Sequence, residues 1–324
     1  MTVAQAIATC TDETRAHSST FFLGSRLFRG ERRSAVTVIY AVCRAGDDAV
    51  DQASSAAEAR ERLADWWSGI QRAYAGDPRP DVAVEVGLAW VLERHDVPLP
   101  AFEELYLGLA SDLEPTDVAD LDELMLYCRR VAGVVGWLVA PVAGYRGGAE
   151  TLDMAMSLGL AMQLTNVLRD VGEDLRLGRC YLPADLRAKY GVTLQQLRSG
   201  VITPEYIALL EELVALTQRL YREGWRGIPR LHGVAALGVA VAALNYEAIL
   251  RKLRQNGFDN LNRRAYLRPV ERIALIPRAM LRLAARSTGD AETSAVDAGA
   301  SAGDADTSAG DAGASARDSR GART

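Results

Sequence analysis

Cysteine and histidine are scarce. Four Cys (Cys10, Cys43, Cys128 and Cys180) and three His are spread over 324 residues, with no C-x-x-C pair. That excludes a disulfide scaffold and a zinc ribbon, and it fits a reducing compartment. Basic residues are in deficit, 37 Lys+Arg against 42 Asp+Glu for a net charge of −5, so no nucleic-acid partner is expected. Long uncharged runs are missing too. Runs such as 131–145 and 233–246 fall short of the ~18–20 apolar residues that cross a bilayer. Asp12 and Glu13 stand early in the chain, with no basic-then-apolar signal pattern around them. These absences predict a cytoplasmic protein.

What charge there is sits unevenly. From residue 287 to 324 the chain repeats Ala, Gly, Ser, Thr and Asp, with Val296 its only sizeable apolar residue. Seven acids there face three Arg, which leaves the tail at −4 and the body near −1. Such a composition cannot bury enough apolar surface to offset its ordering entropy, so 287–324 is expected to be disordered. Residues 1–286 read as one all-α domain. Apolar positions recur at helical spacing, as in Ala35, Val38, Ile39 and Val42, and alternation of period two is absent. Helices are predicted near 12–29, 34–53, 57–75, 81–95, 100–112, 120–145, 151–175, 203–226, 233–256 and 269–286.

Two acidic helix ends stand out. Asp47 and Asp51 are four residues apart, hence ~40° apart around a helix axis and ~6 Å along it. Like charges at that spacing cost stability, and a helix C-terminus disfavours anions. A bound cation would relieve both penalties; a solvated acidic terminus is the alternative. Asn166, Asp170 and Asp174 form the second stripe, at i, i+4 and i+8 among apolar Leu164, Val167, Leu168 and Val171. Carboxylates in such company need partners or metal. An all-oxygen set suits Mg²⁺ or Mn²⁺, which keep waters and bridge to substrate phosphate. Arg44 and Arg169 stand beside the two stripes; ordinary ion pairs and contacts to a diphosphate are both open for them.

With these motifs in place, the sequence resembles the squalene/phytoene synthase family of head-to-head prenyl transferases. The resemblance runs through His17-Ser18-Ser19-Thr20-Phe21, Ile39 to Arg44, Asp47 to Asp51, Gly108 to Leu113, Tyr127 to Gly136, Gln163 to Asp174, Gly178 to Pro183, Asn245-Tyr246 and Asn262-Arg263-Arg264. It implies the all-helical isoprenoid synthase fold, with helices around a central cavity and two aspartate-rich helices facing each other. By the same resemblance Asp47, Asp51, Asp170 and Asp174, assisted by Asn166, would bind two or three Mg²⁺ or Mn²⁺ ions and the diphosphates. His17, Ser18, Ser19, Thr20, Tyr40, Arg44, Gln163, Arg169 and Tyr246 would contact prenyl diphosphate, while Arg179 and Arg263 would hold or order the site. Tyr127 would steer proton transfer; with Phe21, Phe22 and Tyr40 it also offers an aromatic face to a cation, core packing being an equal reading for Phe21 and Phe22. His95, His232 and the cysteines are expected to be structural.

The implied reaction joins two prenyl diphosphates through a cyclopropyl-carbinyl diphosphate. Phe21-Phe22-Leu23-Gly24-Ser25 is closer to the phytoene-making members, which act on geranylgeranyl diphosphate and need no NADPH. Farnesyl-using relatives that make squalene, dehydrosqualene or presqualene diphosphate are the alternative. A one-substrate terpene cyclase and a non-catalytic assembly factor fit less well, because both aspartate stripes and Tyr127 are intact. A monomer or weak homodimer is expected, with peripheral membrane contact for release of an insoluble product.

Overall fold

Helix capping sets several of the boundaries that place the site. A computed structural model describes residues 1–17, 25–26 and 28–285. Its helices are α1 (Val3–His17), α2 (Glu31–Asp51), α3 (Ala56–Tyr74), α4 (Ala83–Leu92), α5 (Leu99–Ser111), α6 (Leu121–Cys128) and α7 (Val134–Ala143). There follow α8 (Gly148–Arg176), α9 (Ala184–Tyr190), α10 (Leu194–Ser199), α11 (Pro204–Gly227), α12 (Ala235–Gln255) and α13 (Pro269–Ile273), with further helix over 276–285. Asp120 caps α6 by accepting from the Glu123 N–H, and Glu123 returns a bond to Ala119. Thr203 caps α11 just before Pro204, whose missing N–H costs nothing at that position. Among the described residues there is no strand, only two isolated bridges. The expected all-α class holds.

Three expectations change. The first helix starts at Val3, nine residues before its predicted start, and the rest of the predicted 12–29 span includes residues outside the described ones. Two short helices, α9 and α10, were not foreseen; each ends on a left-handed Gly after barely two turns, too short to display a period. The span predicted as one helix at 120–145 is helical from Leu121 to Ala143 but contains a π-turn, Arg129–Gly133. By length and composition this stretch is apolar enough to cross a membrane. Arg129 and Arg130 interrupt its uncharged run, and Leu124, Cys128, Val134 and Leu138 are buried in the protein. The tail expectation for 287–324 lies outside the described residues.

Met1–Leu283 forms one compact unit with two apolar cores. One is built from α1, α2, α3, α4, α5 and α7 around Ile39, Leu63, Phe102 and Leu138. The other gathers α8, α11 and α12 around Leu164, Leu213, Tyr221 and Trp225. The 29-residue α8 is the axial element, and its glycines let neighbours press close. A Cβ at Gly159 would strike the Ala132 carbonyl of the π-turn, and one at Gly172 would strike the Leu261 carbonyl. The Gly172 N–H donates instead to Asn260 O at 3.1 Å, and Asn260 in turn donates to Leu168 O and accepts from Tyr206 OH. The end of α8 that carries the second acidic stripe is thereby fixed against the loop at 258–262.

Candidate active site

Both acidic stripes open onto one chamber of about 240 Å³, lined by Asp47 and Asp51 from α2, Gln163, Asn166, Asp170 and Asp174 from α8, and Asp112, Tyr127, Arg179 and Tyr181 from between them. Behind it lies a second, mainly apolar cavity of about 450 Å³. Asp47, Gln163 and Asn166 line both spaces. The inner cavity runs along Thr151, Ala155, Gly159 and Met162 of α8, Val135 and Val139 of α7, and Val239, Ala242 and Tyr246 of α12, with Tyr40 and Arg44 also on its wall. A charged mouth therefore leads into an apolar interior.

Electrostatics divide the acids into two groups. Asp170 is held by two forks: Arg169 donates through Nε and Nη2 at 2.7 and 2.5 Å, and Arg264 through the same atoms at 2.8 and 3.0 Å. Burial works against the Arg169 guanidinium, but its bonds to Asp170 leave its pKa raised. Asp47 and Asp174 have no such clamp. Burial pushes the Asp47 carboxyl up to about 7 despite the pull of Arg44, with the charges of Asp51, Asp48 and Asp112 adding to the rise. Burial followed by the Asp170 charge takes Asp174 up to about 7 as well. Arg44 pairs with Asp48, one turn on and outside the chamber lining.

A network not anticipated from sequence holds the far wall. Asp112, at the C-terminal end of α5, accepts from Tyr181 OH at 2.6 Å and Tyr127 OH at 3.2 Å. The two rings stack at 4.5 Å, tilted by 21°. Burial raises the pKa of Asp112 although both hydroxyls and Arg179 oppose it; burial and then the Asp112 charge raise that of Tyr127. Arg179 donates to Asp112 O at 2.9 Å and stands 3.8 Å from Asp51.

Most of the expected site residues thus converge. Asp47, Asp51, Asn166, Asp170, Asp174, Tyr127, Gln163 and Arg179 line the chamber, and Tyr40, Arg44 and Tyr246 line the cavity behind it. Arg169 reaches the site through Asp170 and borders a neighbouring cavity that also contains Tyr246. Arg263 is elsewhere: it binds Asn256 O and Asp259, and Arg264 is the residue that meets Asp170. His17 bonds to Glu13 and lines an outer groove shared with Arg44. Ser18, Ser19, Thr20, Phe21 and Phe22 lie outside the described residues. Asp112, Tyr181 and Arg264 carry more of the site than expected. All three fall within matching stretches, and residue type alone did not single them out.

The donor set fits divalent magnesium or manganese. Every candidate ligand is oxygen, and Asn166 Oδ1 is buried without a partner. Among the described residues no three His, Cys, Asp or Glu side chains cluster closely enough to hold an ion alone. Mg²⁺ does not require such a cage, because water and substrate phosphate complete its shell. The raised carboxyls give a test. An acid whose folded pKa lies above its unfolded value loses its stabilising share as pH climbs from about 4 to about 7. The metal-free protein should therefore melt several degrees higher at pH 5.5 than at pH 8, a shift of the size expected for about 1 to 2 kcal/mol. Added Mg²⁺ should narrow that gap, and Asp174→Asn should raise the pH 8 melting temperature. Identical melting across this range would contradict the buried placement of both acids.

The squalene/phytoene synthase family model matches residues 14–271. The chain belongs to this family. A phytoene synthase of Thermus thermophilus is 49% identical over 267 residues, covering 82% of this chain and 90% of that protein. A 15-cis-phytoene synthase of Synechococcus elongatus is 32% identical over 291 residues, covering 86% of this chain and 94% of that one. Among solved structures, a dehydrosqualene synthase in complex with ligand superposes with a TM-score of 0.80 at 26% identity, over 87% of this chain and 98% of that one. The helical array is accordingly the isoprenoid synthase fold, and this member of the squalene/phytoene synthase family is a prenyl transferase.

Proposed function

We propose that the protein is a phytoene synthase, which condenses two geranylgeranyl diphosphates head to head through a cyclopropyl-carbinyl diphosphate and releases both diphosphates. The observation that carries this is the continuity of the two spaces: a chamber of acids and Arg179 shares Asp47, Gln163 and Asn166 with an apolar cavity of about 450 Å³. Identity of 49% to the Thermus protein supports the choice of product.

The geometry supports each step of this reading. Asp47, Asp51, Asn166, Asp170 and Asp174 would hold Mg²⁺, two or three ions in number, or Mn²⁺ in its place. When bound, the metal neutralises departing diphosphate charge as a Lewis acid. Arg179 at the mouth and Arg44 on the wall behind it add fixed positive charge. The C–O bond of the first substrate breaks with its electron pair leaving on diphosphate, and the allylic cation forms against apolar walls that exclude water. The ring faces of Tyr40 and Tyr246 on those walls are suited to such a cation. Attack by the double bond of the second substrate and loss of a proton close the cyclopropane. The second diphosphate departs in the same way. The rearranged cation then loses a proton, so no hydride donor is needed and NADPH plays no part. Tyr127, hydrogen-bonded to Asp112, would guide a proton. The protein is assigned to the cytoplasm as a monomer or weak homodimer.

Purified protein supplied with Mg²⁺ or Mn²⁺ and either geranylgeranyl or farnesyl diphosphate, with and without NADPH, decides the matter when the hydrocarbon is identified. Phytoene from geranylgeranyl diphosphate, at a rate NADPH leaves unchanged, is expected. The dehydrosqualene synthase fold match keeps a farnesyl-using enzyme as second reading, and product from farnesyl diphosphate alone would establish it instead.

A further inference from the structure

We propose that the Arg-rich segment 263–283 is a docking surface for an anionic lipid bilayer. Five of the twelve exposed large apolar side chains among the described residues fall in this short stretch: Tyr266, Val270, Ile273, Met280 and Leu281, each between 56% and 73% exposed. The remaining seven are scattered over the rest of the chain, as isolated surface apolar residues ordinarily are.

The helix over 276–285 is apolar on two sides. Its inner side is accounted for: Leu275 and Ala279 are buried, and Arg282 lies 3.7 Å over the Trp225 ring while donating to Glu247 at 2.7 Å. Pro277, Met280 and Leu281, three or four residues apart, share its outer face, and the exposed Ile273 ends α13 just before it. Nothing in the described protein covers that face.

Charge identifies the occupant. Residues 263–283 hold six Arg against one acid, Glu271; Arg263, Arg264, Arg268 and Arg282 are paired with Asp259, Asp170, Glu271 and Glu247, and Arg278 stands exposed on the same helix as Met280 and Leu281. An apolar stripe flanked by Arg is the composition of helices that lie in the headgroup region of anionic membranes. The acidic tail beyond 286 matches the charge, but with Val296 as its only sizeable apolar residue it offers nothing to cover Ile273, Met280 and Leu281.

The surface also adjoins the site. A cavity of about 260 Å³ borders on Tyr266 and Leu267 and reaches Tyr246, which is part of the inner cavity wall as well. Docking at this face would present that route to lipid, where an insoluble hydrocarbon can leave. This last link rests on the activity proposed above; the docking itself rests on the surface.

Cosedimentation of the full chain, without substrate, tests it with phosphatidylcholine vesicles prepared with and without phosphatidylglycerol. Binding is expected only to the anionic vesicles. Ile273→Asp combined with Leu281→Asp should weaken it at least ~10-fold by removing buried apolar area, and Arg278→Ala about 5-fold. Both variants change exposed side chains, so their helical content and their turnover in detergent should match the parent. Absence of sedimentation, or sedimentation that neither variant reduces, overturns the proposal. So does a solution dimer that the double variant dissociates, which would make the face a contact between copies. Vesicle binding is read without turnover, so failure of the assigned reaction and failure of docking are separate results.

Discussion

Asp47→Ala should lower turnover at saturating geranylgeranyl diphosphate by at least ~10³-fold, the scale on which preorganised charge stabilisation acts, and yet leave the protein no less stable. Asp170→Ala should cost as much activity and, unlike it, reduce stability. The difference follows from what surrounds each carboxyl. Asp47 is buried among Asp51, Asp48 and Asp112, with its pKa pushed up to about 7, so at pH 8 its charge opposes folding in the metal-free protein. Removing it relieves that strain, as happens at functional positions that trade stability for activity. Asp170 neutralises Arg169 and Arg264, and Arg169 is only 15% exposed. Without Asp170 the two guanidinium groups face each other with only Glu173, 3.7 Å from Arg264, to offset them, and an undercompensated charge near the interior is destabilising. Thermal melts at pH 8 without metal, paired with product assays in Mg²⁺, check both halves. Near-normal turnover in either variant would remove that residue from the ion-holding set.

Val239→Phe should cut kcat/KM for geranylgeranyl diphosphate about 100-fold while changing that for farnesyl diphosphate less than about threefold, an effect of the size pocket contacts produce. Val239 and Tyr246 both line the inner cavity from α12. Seven residues separate them, so Val239 lies ~10 Å further along the helix. A larger ring there shortens the space for the end of a long chain and leaves the portion near the acids untouched. Val239 is only partly buried, so the added atoms can occupy cavity volume rather than packed core. Competition assays with both diphosphates measure the ratio directly. An unchanged ratio would mean that chain length is read elsewhere on the wall.

Both predictions use positions of different legibility. The acidic stripes could be read from sequence because helical spacing alone puts Asp47 with Asp51, and Asn166 with Asp170 and Asp174, on shared faces. Their meeting in one chamber needed only that both helices border one cavity. Asp112 and Tyr181 were harder, since a hydrogen bond spanning 69 residues leaves no local period. Arg264 rather than Arg263 meets Asp170, and adjacent arginines give no hint in sequence of which one turns inward. The short helices α9 and α10 and the π-turn were likewise invisible, since one or two turns carry too little pattern to register.

That π-turn has a consequence for how the cavity came to be lined as it is. A five-residue turn adds one residue to the α-helical count, which offsets all that follows by ~100°. Across Arg129–Gly133 the chain passes from Tyr127, facing the acids, to Val135, Gly136 and Val139, facing the apolar interior. The turn works as a phase shifter between two reading frames on one continuous helix. Upstream residues are dialled to the polar chamber and downstream residues to the hydrocarbon cavity, so the lining of each can vary in evolution without disturbing the orientation of the other.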